Sequence, residues 1–422
     1  MIEVVGVPAS GLDLPEGSSR ARDLVDGARV LLGGARHLDL VPEHVTARRV
    51  PWPSPLRPGL PALLEDVRWR DGGVVVLASG DPFVSGIATT LVDLLGPDAV
   101  RVHPAVSSVA LARAAMRWSA QESEVVTLVG RDPDLLRRWL TPGARLLVLG
   151  SDATTPAAVG RLLVQERAGA SRVTVLGHLG GATESRHQTT GAGLAGDGAD
   201  HPALHVLALE VLADPPTAGP DDEAPARPAG LLGTAPGLPD TAFVTDGQLT
   251  KRVLRAAALA HLRPLPGQLL WDLGAGTGTI GLEWARHHPR CRVVAVERRA
   301  DRAATIRHNA ARLGVPGLTV VEGDCADALA DLPDPDAAFL GGGVDDALVD
   351  AVWQRLPPGG RLVAHAVTLR SEAVLLAARA RHGGTLQRVA VETAAPLGAD
   401  LGWTPARAVV AWSAVRGEGG AP

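Results

Sequence analysis

The chain has 422 residues, of which 46% are hydrophobic and 21% are charged, and its 41 basic residues nearly balance its 46 acidic ones. This composition is that of a globular protein of two or three domains, and it excludes a disordered or fibrous chain. The formal net charge of −5 also argues against binding nucleic acid or membranes through bulk positive charge, because such binding needs clustered Lys and Arg.

The two cysteines, Cys291 and Cys325, are too few for a disulfide framework or for the four ligands of a structural zinc site. We therefore expect a reducing compartment and no metal. The first residues lack the basic and apolar regions of a signal peptide, and no apolar run is long enough to cross a membrane. These features predict a soluble, cytoplasmic protein.

Residues 1–212 alternate short apolar runs with amphipathic stretches of helical spacing. The apolar runs predict strands at residues 2–7, 74–79, 125–129, 145–150, 172–177 and 205–211. The amphipathic stretches predict helices at residues 83–95, 107–118 and 156–168. This alternation indicates an α/β domain.

A proline-rich segment follows at residues 213–236, with six prolines and almost no apolar periodicity. Proline lacks a backbone N–H and favours extended conformations. We therefore predict an exposed, semi-rigid linker between a domain of residues 1–212 and a domain of residues 237–422.

Strands and helices alternate more clearly after the linker. Strands are predicted at residues 269–274, 292–297, 318–323, 337–342 and 361–367, each followed by a helix-like segment. This pattern is typical of a doubly wound parallel sheet. Two later apolar runs, 386–392 and 406–415, have no long helix between them and predict an antiparallel pair at one edge.

The most informative motif is D-L-G-A-G-T-G, from Asp272 to Gly278, where the first strand of the second domain ends. Glycines at such a turn let the backbone approach a ligand closely. Thr279 occupies the position of the third glycine of the dinucleotide-binding fingerprint, and the chain has no P-loop motif. A nicotinamide-dependent oxidoreductase is therefore disfavoured, but it stays an alternative.

Together with Glu297 at the next strand end and Gly323-Asp324 after the third strand, this motif resembles S-adenosylmethionine-dependent methyltransferases with a Rossmann-like fold. The resemblance implies that the glycine turn admits the methionine part of the cofactor. It also implies that Glu297 accepts both ribose hydroxyls and that Asp324 accepts the adenine amino group. The implied cofactor residues of this domain are Asp272, Gly274, Ala275, Gly276, Thr277, Gly278, Glu297, Asp324, Cys325 and Gly342.

The flanks of this motif resemble a narrower family, the decarboxylating precorrin methyltransferases of cobalamin biosynthesis. The resemblance rests on residues 237–243, on T-K-x-x-x-R from Thr250 to Arg255, and on F-L-G-G-G at residues 339–343. It implies that Thr250 contacts the cofactor, and that Lys251, the only lysine of the chain, and Arg255 bind substrate carboxylates as candidate catalytic residues. Alternatively, T-K-x-x-x-R only begins a helix, since Thr is a good N-cap.

The first domain resembles the tetrapyrrole (precorrin) methyltransferase family, whose cofactor lies in a cleft between two α/β lobes. The resemblance rests on four motifs, which are G-D-P-F from Gly80, H-P-A-V-S-S-V from His103, L-G-G-A-T-E from Leu179 and H-P-A-L-H-V-L-A-L-E-V from His201. It implies that the cofactor-binding residues of this domain are Asp81, Val84, Ser107 and Ser108. The family's opening G-x-G-P-G loop is altered here at Gly6 to Gly11, which leaves open whether this domain is catalytic or only a binding module.

The order of the two domains is typical of bifunctional precorrin methyltransferases. It implies one S-adenosylmethionine per domain, methylation of precorrin-6Y at carbons 5 and 15, and loss of carbon dioxide from the ring C acetate to give precorrin-8x. The expected partner is thus a small-molecule tetrapyrrole, with no nucleic acid and no membrane, and we expect a homo-oligomer. A methyltransferase acting on another tetrapyrrole or on RNA stays an alternative, although N-P-P-Y is absent at residues 339–343.

Overall fold

A computed structural model describes residues 1–8, 11, 19–196, 200–214 and 232–417. Contacts between Cα atoms divide the chain into two compact units, the first of Met1–Pro133 with Pro142–Pro215 and the second of Asp134–Thr141 with Pro216–Pro422. Most of the predicted linker, residues 215–231, lies outside the described residues. The linker and the predicted domain boundaries therefore stay predictions.

The first unit contains two five-stranded sheets. The strands of its first sheet are β1 (Ile2–Val7), β2 (Val30–Gly33), β3 (Arg48–Pro51), β4 (Val74–Ser79) and β5 (Val100–His103). This sheet is wholly parallel, in the order β3-β2-β4-β1-β5. Strands β1 and β4 are nearly completely buried, which is why both read as continuous apolar runs in the sequence.

The second sheet of this unit is mixed. Its strands are β6 (Glu124–Thr127), β7 (Arg145–Leu149), β8 (Arg172–Gly177), β9 (Ser185–Thr190) and β10 (His205–Glu210). They lie in the order β6-β7-β10-β8-β9, and only the β6–β7 pair is parallel. The helices of the unit are α1 (Ser19–Asp26), α2 (Ala35–Asp39), α3 (Leu56–Asp66), α4 (Ile87–Leu95), α5 (Ser108–Met116), α6 (Thr155–Gln165) and α7 (Gly191–Gly196).

The structure confirms the predicted α/β class and all six strands predicted in this unit. Four strands escaped prediction, namely β2, β3, β5 and β9. The last three lie at sheet edges, where β3 and β9 expose most of their side chains and β5 has mostly half-buried ones. They therefore lack the apolar runs by which buried strands are recognised.

The helix predicted at residues 83–95 begins later, at Ile87. Asp81 Oδ1 accepts a hydrogen bond from the backbone N of Phe83 at 2.9 Å, and Ser85 has a φ of 53°. Both features hold this stretch in turns. The prediction was wrong at its start because the turn also contains apolar side chains at helical spacing.

The second unit is built on a seven-stranded sheet. Its strands are β11 (Leu269–Leu273), β12 (Arg292–Glu297), β13 (Thr319–Glu322), β14 (Ala337–Leu340), β15 (Arg361–Ala366), β16 (Thr385–Val389) and, after a hairpin, β19 (Val409–Val415). The order is β13-β12-β11-β14-β15-β19-β16. The first five strands in this order are parallel, and β19 is antiparallel to both of its neighbours. This arrangement confirms the predicted parallel sheet with an antiparallel edge.

The hairpin consists of β17 (Glu392–Leu397) and β18 (Asp400–Pro405), which pair only with each other. It was not predicted. Its apolar side chains, including Trp403, are exposed rather than alternately buried.

Helices cover both faces of the seven-stranded sheet. They are α8 (Arg252–Leu262), α9 (Thr279–His287), α10 (Ala300–Arg312), α11 (Cys325–Ala328), α12 (Asp346–Arg355) and α13 (Leu369–His382). Helices α8, α9 and α10 pack on one face, in a core that includes Trp284 of α9. Helices α12 and α13 pack on the other face, against Trp271 of β11 and Trp412 of β19. These three tryptophans are fully buried, so each face of the sheet has a core of its own.

A buried ion pair connects α8 to α9. The side chain of Arg255 on α8 is 0% exposed and that of Glu283 on α9 is 2% exposed, and Arg255 Nε donates to Glu283 Oε1 at 2.5 Å. Glu283 also accepts hydrogen bonds from the backbone N of Gly237 at 2.6 Å and of Leu238 at 3.0 Å. The pair therefore holds the segment before α8 against the helix that follows the glycine-rich turn.

A second buried side chain extends this attachment. Asn309 on α10 is 0% exposed, and its amide accepts from Val244 N at 2.9 Å and donates to Val244 O at 2.9 Å. It also donates to Thr277 O, in the glycine-rich turn, at 3.3 Å. One amide thus connects residue 244 to the turn itself.

Among the described residues, no helix has both the length and the hydropathy needed to span a bilayer.

We predict that Glu283→Ala destabilises the second unit by roughly 3–5 kcal/mol, because it leaves a buried guanidinium without its carboxylate. Scanning calorimetry of the full chain should show one transition lowered by on the order of 10 °C. The matched control is Glu322→Ala, which removes an exposed ion pair with Arg307 of 2.7 Å and should cost about 0–1 kcal/mol. Equal effects of the two variants would contradict the role given to the buried pair.

Candidate cofactor sites at the carboxyl edges of the sheets

The glycine-rich turn of the second unit lies at the carboxyl end of β11, the third strand of its sheet. Gly274, Gly276 and Gly278 have φ values of 66°, 61° and 78°, a region that side chains with a Cβ rarely adopt. A Cβ on Gly274 would lie 2.5 Å from Gly342 O, after β14, whereas a Cβ on Gly276 would meet nothing within 4 Å. The turn therefore packs against the loop after β14 at Gly274 and has open space beside Gly276.

Asp272 is buried in β11 at 1% exposure and faces α9. Its Oδ2 accepts from Gly281 N in the first turn of that helix at 2.9 Å. Its Oδ1 has no hydrogen-bond partner among the described residues, and neither does the hydroxyl of buried Thr277. Burial, and secondarily the charge of Glu297, raise the pKa of Asp272 to about 7. This carboxyl is thus half ionised near neutral pH and keeps one acceptor free.

Glu297 ends β12 and is 5% exposed. Its Oε2 accepts from Gly276 N at 2.8 Å, and its Oε1 accepts from Arg299 N at 3.0 Å. The carboxylate therefore fixes the open part of the glycine-rich turn. Each oxygen has a further lone pair, so the same carboxylate can also accept from a pair of hydroxyls.

The loops after β13 and β14 place further predicted cofactor residues beside this turn. Asp324 is the N-cap of α11 and accepts from Ala326 N at 2.9 Å. Cys325 is half-buried, and burial raises the pKa of its thiol to about 11, so it stays protonated. Gly342 is exposed and contacts the turn through Gly274. The parallel sheet thus brings the predicted residues after β11, β12, β13 and β14 to one edge.

The T-K-x-x-x-R segment is divided between surface and core. Arg255 donates hydrogen bonds to Glu283 and Asp240 side chains and to the carbonyl oxygens of Thr250 and Leu238. With four such bonds and no exposure, its guanidinium is not available to a substrate carboxylate. The geometry revises the expected role of Arg255, which we assign to positioning.

Lys251 and Thr250 lie outside this core. Lys251 precedes α8, its side chain is 58% exposed, and its Nζ is 3.7 Å from Asp240 Oδ2. Thr250 is half-buried, and its carbonyl is held by Arg255. A ligand can therefore reach both residues, and Asp240 connects the exposed lysine to the buried arginine.

The first unit has a cavity of about 820 Å³ between its two sheets. Its walls come from β1 and β4 of the parallel sheet, with Val7 and Ser79, and from the mixed sheet, with Leu149, Leu176 and Val206. This volume is within the usual range for small-molecule sites.

The predicted cofactor residues of this unit follow β4 and β5. Val84 and Ser108 line the cavity. Asp81 and Ser107 do not line the cavity themselves, but each is adjacent in sequence to lining residues. Asp81 holds its turn by accepting from Phe83 N at 2.9 Å, and Ser107 caps α5 by accepting from Ala110 N at 3.1 Å. Within the altered opening loop, residues 9 and 10 lie outside the described residues.

Sequence reasoning missed the basic side chains of this cavity. Arg36 and His37 follow β2, and Arg57 is in the first turn of α3, beyond β3. The available signal was G-G-A-R-H at residues 33–37, where two glycines and two basic residues follow an apolar run.

Two family models match the chain. One is described as tetrapyrrole (corrin/porphyrin) methylases and matches residues 1–195, and the other is described as a precorrin methyltransferase domain and matches residues 241–416. Together they match most of both units.

Curated relatives match nearly the full length. A precorrin-6Y C(5,15)-methyltransferase (decarboxylating) of Sinorhizobium sp is 44% identical over 398 residues, which is 94% of this chain and 92% of that protein. A protein of the same name from Mycobacterium tuberculosis (strain ATCC 25618 / H37Rv) is 40% identical over 99% of this chain and 100% of its own.

Among solved structures, the C-terminal domain of precorrin-6Y C5,15-methyltransferase from Rhodobacter capsulatus is 45% identical, with a TM-score of 0.42, and the match covers 44% of this chain and 100% of that one. Because the two curated relatives match nearly its whole length at 40 and 44% identity, the chain belongs to the family of precorrin-6Y C(5,15)-methyltransferases (decarboxylating).

Proposed function

We propose that the chain methylates precorrin-6Y at carbons 5 and 15 and releases the ring C acetate carboxylate as carbon dioxide, giving precorrin-8x in cobalamin biosynthesis. The first unit methylates carbon 5, and the second methylates carbon 15 and decarboxylates. Each unit binds one S-adenosylmethionine. The observation that carries the proposal lies at the carboxyl end of the seven-stranded sheet. There the open glycine turn, the Glu297 carboxylate bound to it and Asp272 Oδ1, which is buried without a partner among the described residues, lie together.

The donor set at this edge fits S-adenosylmethionine. Asp272 Oδ1 and Thr277 Oγ1 are buried polar atoms without partners among the described residues, and such atoms are costly unless a ligand satisfies them. Asp272 would accept from the ammonium group of the methionine part, and Glu297 from the ribose hydroxyls. When bound, S-adenosylmethionine supplies an electrophilic methyl group on a sulfonium.

The chain's residues bind and orient the two reactants rather than supply a strong base. The reacting carbons belong to an electron-rich macrocycle, so a fixed in-line arrangement can provide much of the rate enhancement. Lys251 can approach a peripheral carboxylate of the substrate, since its one ion pair with a described residue is the 3.7 Å contact with Asp240. Arg255 and Glu283 keep its supporting segment in place.

The alternative function of a nicotinamide-dependent oxidoreductase is disfavoured. Family membership argues against an oxidoreductase, as does Thr279 at the position of the third fingerprint glycine. Among the described residues, no group of three or more His, Cys, Asp or Glu side chains could hold a metal ion. A cytoplasmic location and a homo-oligomeric state stay predictions.

We predict that calorimetric titration with S-adenosylhomocysteine counts two sites per chain. Asp81→Ala should remove the first-unit site, because the turn held by its carboxylate shapes the cavity border, and Glu297→Ala should remove the second-unit site. The matched control is Glu322→Ala, the register partner of Glu297 on β13, which should keep both sites. A single site in the wild-type protein, unaffected by Asp81→Ala, would show that the first unit does not bind the methyl donor.

We further predict that binding to the second-unit site weakens as the pH falls from 8 to 6. The pKa of Asp272 is raised to about 7, so lowering the pH neutralises the acceptor of the ligand's ammonium group. Titrations of the Asp81→Ala protein should show this decline, whereas adding Asp272→Asn should weaken binding about tenfold or more at pH 8 and flatten the pH dependence.

The unliganded protein provides an independent control. Because the folded state holds the Asp272 proton more tightly than the unfolded state, this carboxyl lowers the stability of the second unit as the pH rises from about 4 to 7. Asp272→Asn should reduce that decline. Parallel pH profiles for the variant and the wild type would assign the titration to another group.

A further inference from the structure

The cavity of the first unit is basic on one side. Arg36, His37 and Arg57 line it on the side of the parallel sheet, His205 of β10 lines it on the side of the mixed sheet, and no Asp or Glu is among its described lining residues. Neither arginine makes an ion pair with a described carboxylate. A cavity with two cationic side chains and no described acidic one selects for an anionic ligand group.

Arg36 belongs to a small polar cluster that faces the cavity. Its Nη2 lies 2.8 Å from His37 Nε2 and 2.9 Å from Ser79 Oγ, and His37 Nε2 lies 3.0 Å from the same hydroxyl. Burial, and then the charge of Arg36, lower the pKa of His37 to about 4. The imidazole is therefore neutral at pH 7, so Arg36 carries the charge of the cluster.

The position of these residues separates them from the predicted cofactor residues. Arg36 and His37 follow β2 and Arg57 follows β3, at one edge of the parallel sheet. Val84 follows β4, the central strand beside β2, and Ser108 follows β5, at the other edge. The cavity thus has a neutral side and a basic side.

We propose that Arg36, supported by His37 and Ser79, and Arg57 form a binding subsite for peripheral carboxylates of the macrocyclic substrate in the first unit. This inference rests on the proposed function, since a precorrin is a polycarboxylate. A guanidinium matches a carboxylate in shape and charge and can bind it through two parallel hydrogen bonds. The neutral side is left for the methyl donor, whose sulfonium would be repelled by a pair of arginines.

The test uses the full chain with Arg36→Gln, Arg57→Gln and, as a matched surface control, Arg161→Gln on α6. Arg161 is exposed and does not line the cavity. Methylation of precorrin-6Y at carbon 5 is followed by NMR with a methyl donor labelled in its methyl group, and the affinity for S-adenosylhomocysteine is measured by calorimetry.

We expect KM for carbon-5 methylation to rise about ten- to hundredfold in each cavity variant, which is the range for loss of a charge-assisted hydrogen bond. The Kd for S-adenosylhomocysteine should stay within about twofold, and Arg36→Lys should recover part of the loss. The surface control should match the wild type in both measurements.

Two outcomes overturn the subsite. Unchanged KM in both cavity variants would mean that the arginines do not bind substrate. Loss of S-adenosylhomocysteine binding would mean that they hold the carboxylate of the methyl donor instead. Failure of the proposed function is distinguishable, because it would appear as wild-type protein that binds two S-adenosylhomocysteines but does not methylate carbon 5. In that case, a wild-type Kd for precorrin-6Y in the Arg36→Gln and Arg57→Gln proteins, measured by absorbance, would still refute the subsite.

Discussion

The buried pair of Arg255 and Glu283 is the interaction on which the cofactor site of the second unit depends, because it holds the segment before α8 against α9. Two opposite charges removed from water are tolerated only when hydrogen bonds satisfy them, and here the bonds go to Asp240 and to backbone groups at residues 237, 238 and 250. The segment that borders the glycine-rich turn is therefore fixed by polar contacts. Because Arg255 and Glu283 are both removed from water, loss of either partner would leave the other charge buried and unpaired.

In both units the candidate site lies at the carboxyl ends of parallel strands, but the charges of the side chains there differ. In each, a parallel sheet brings polar side chains from separate strand ends to one edge. In the second unit this edge is acidic, with Asp272 and Glu297, and suits a cationic ligand group. In the first, the described cavity walls are basic on the side of Arg36 and Arg57. The two sites therefore carry charges of opposite sign.

Much of this could be predicted from sequence, because buried parallel strands and positive-φ glycines leave strong local signals. The doubly wound sheet and the edge at residues 272–278 follow from such signals. The role of Arg255 could not be predicted. Its spacing from Lys251 is equally consistent with a surface residue, and its buried partner Glu283 lies 28 residues later in the sequence. Nor could Arg36 be distinguished from 39 other arginines, because only the structure shows that it lines a cavity with no described Asp or Glu in its walls.

Lys251 is a site at which the protein can be labelled selectively. It is the only lysine in the chain, and its side chain is 58% exposed. Amine-reactive reagents should therefore attach at one side-chain position and, apart from the terminal amine, nowhere else. A fluorophore placed there would lie at the start of α8, on the segment held by the buried pair. A change in its emission on addition of S-adenosylhomocysteine would report on this segment of the second unit.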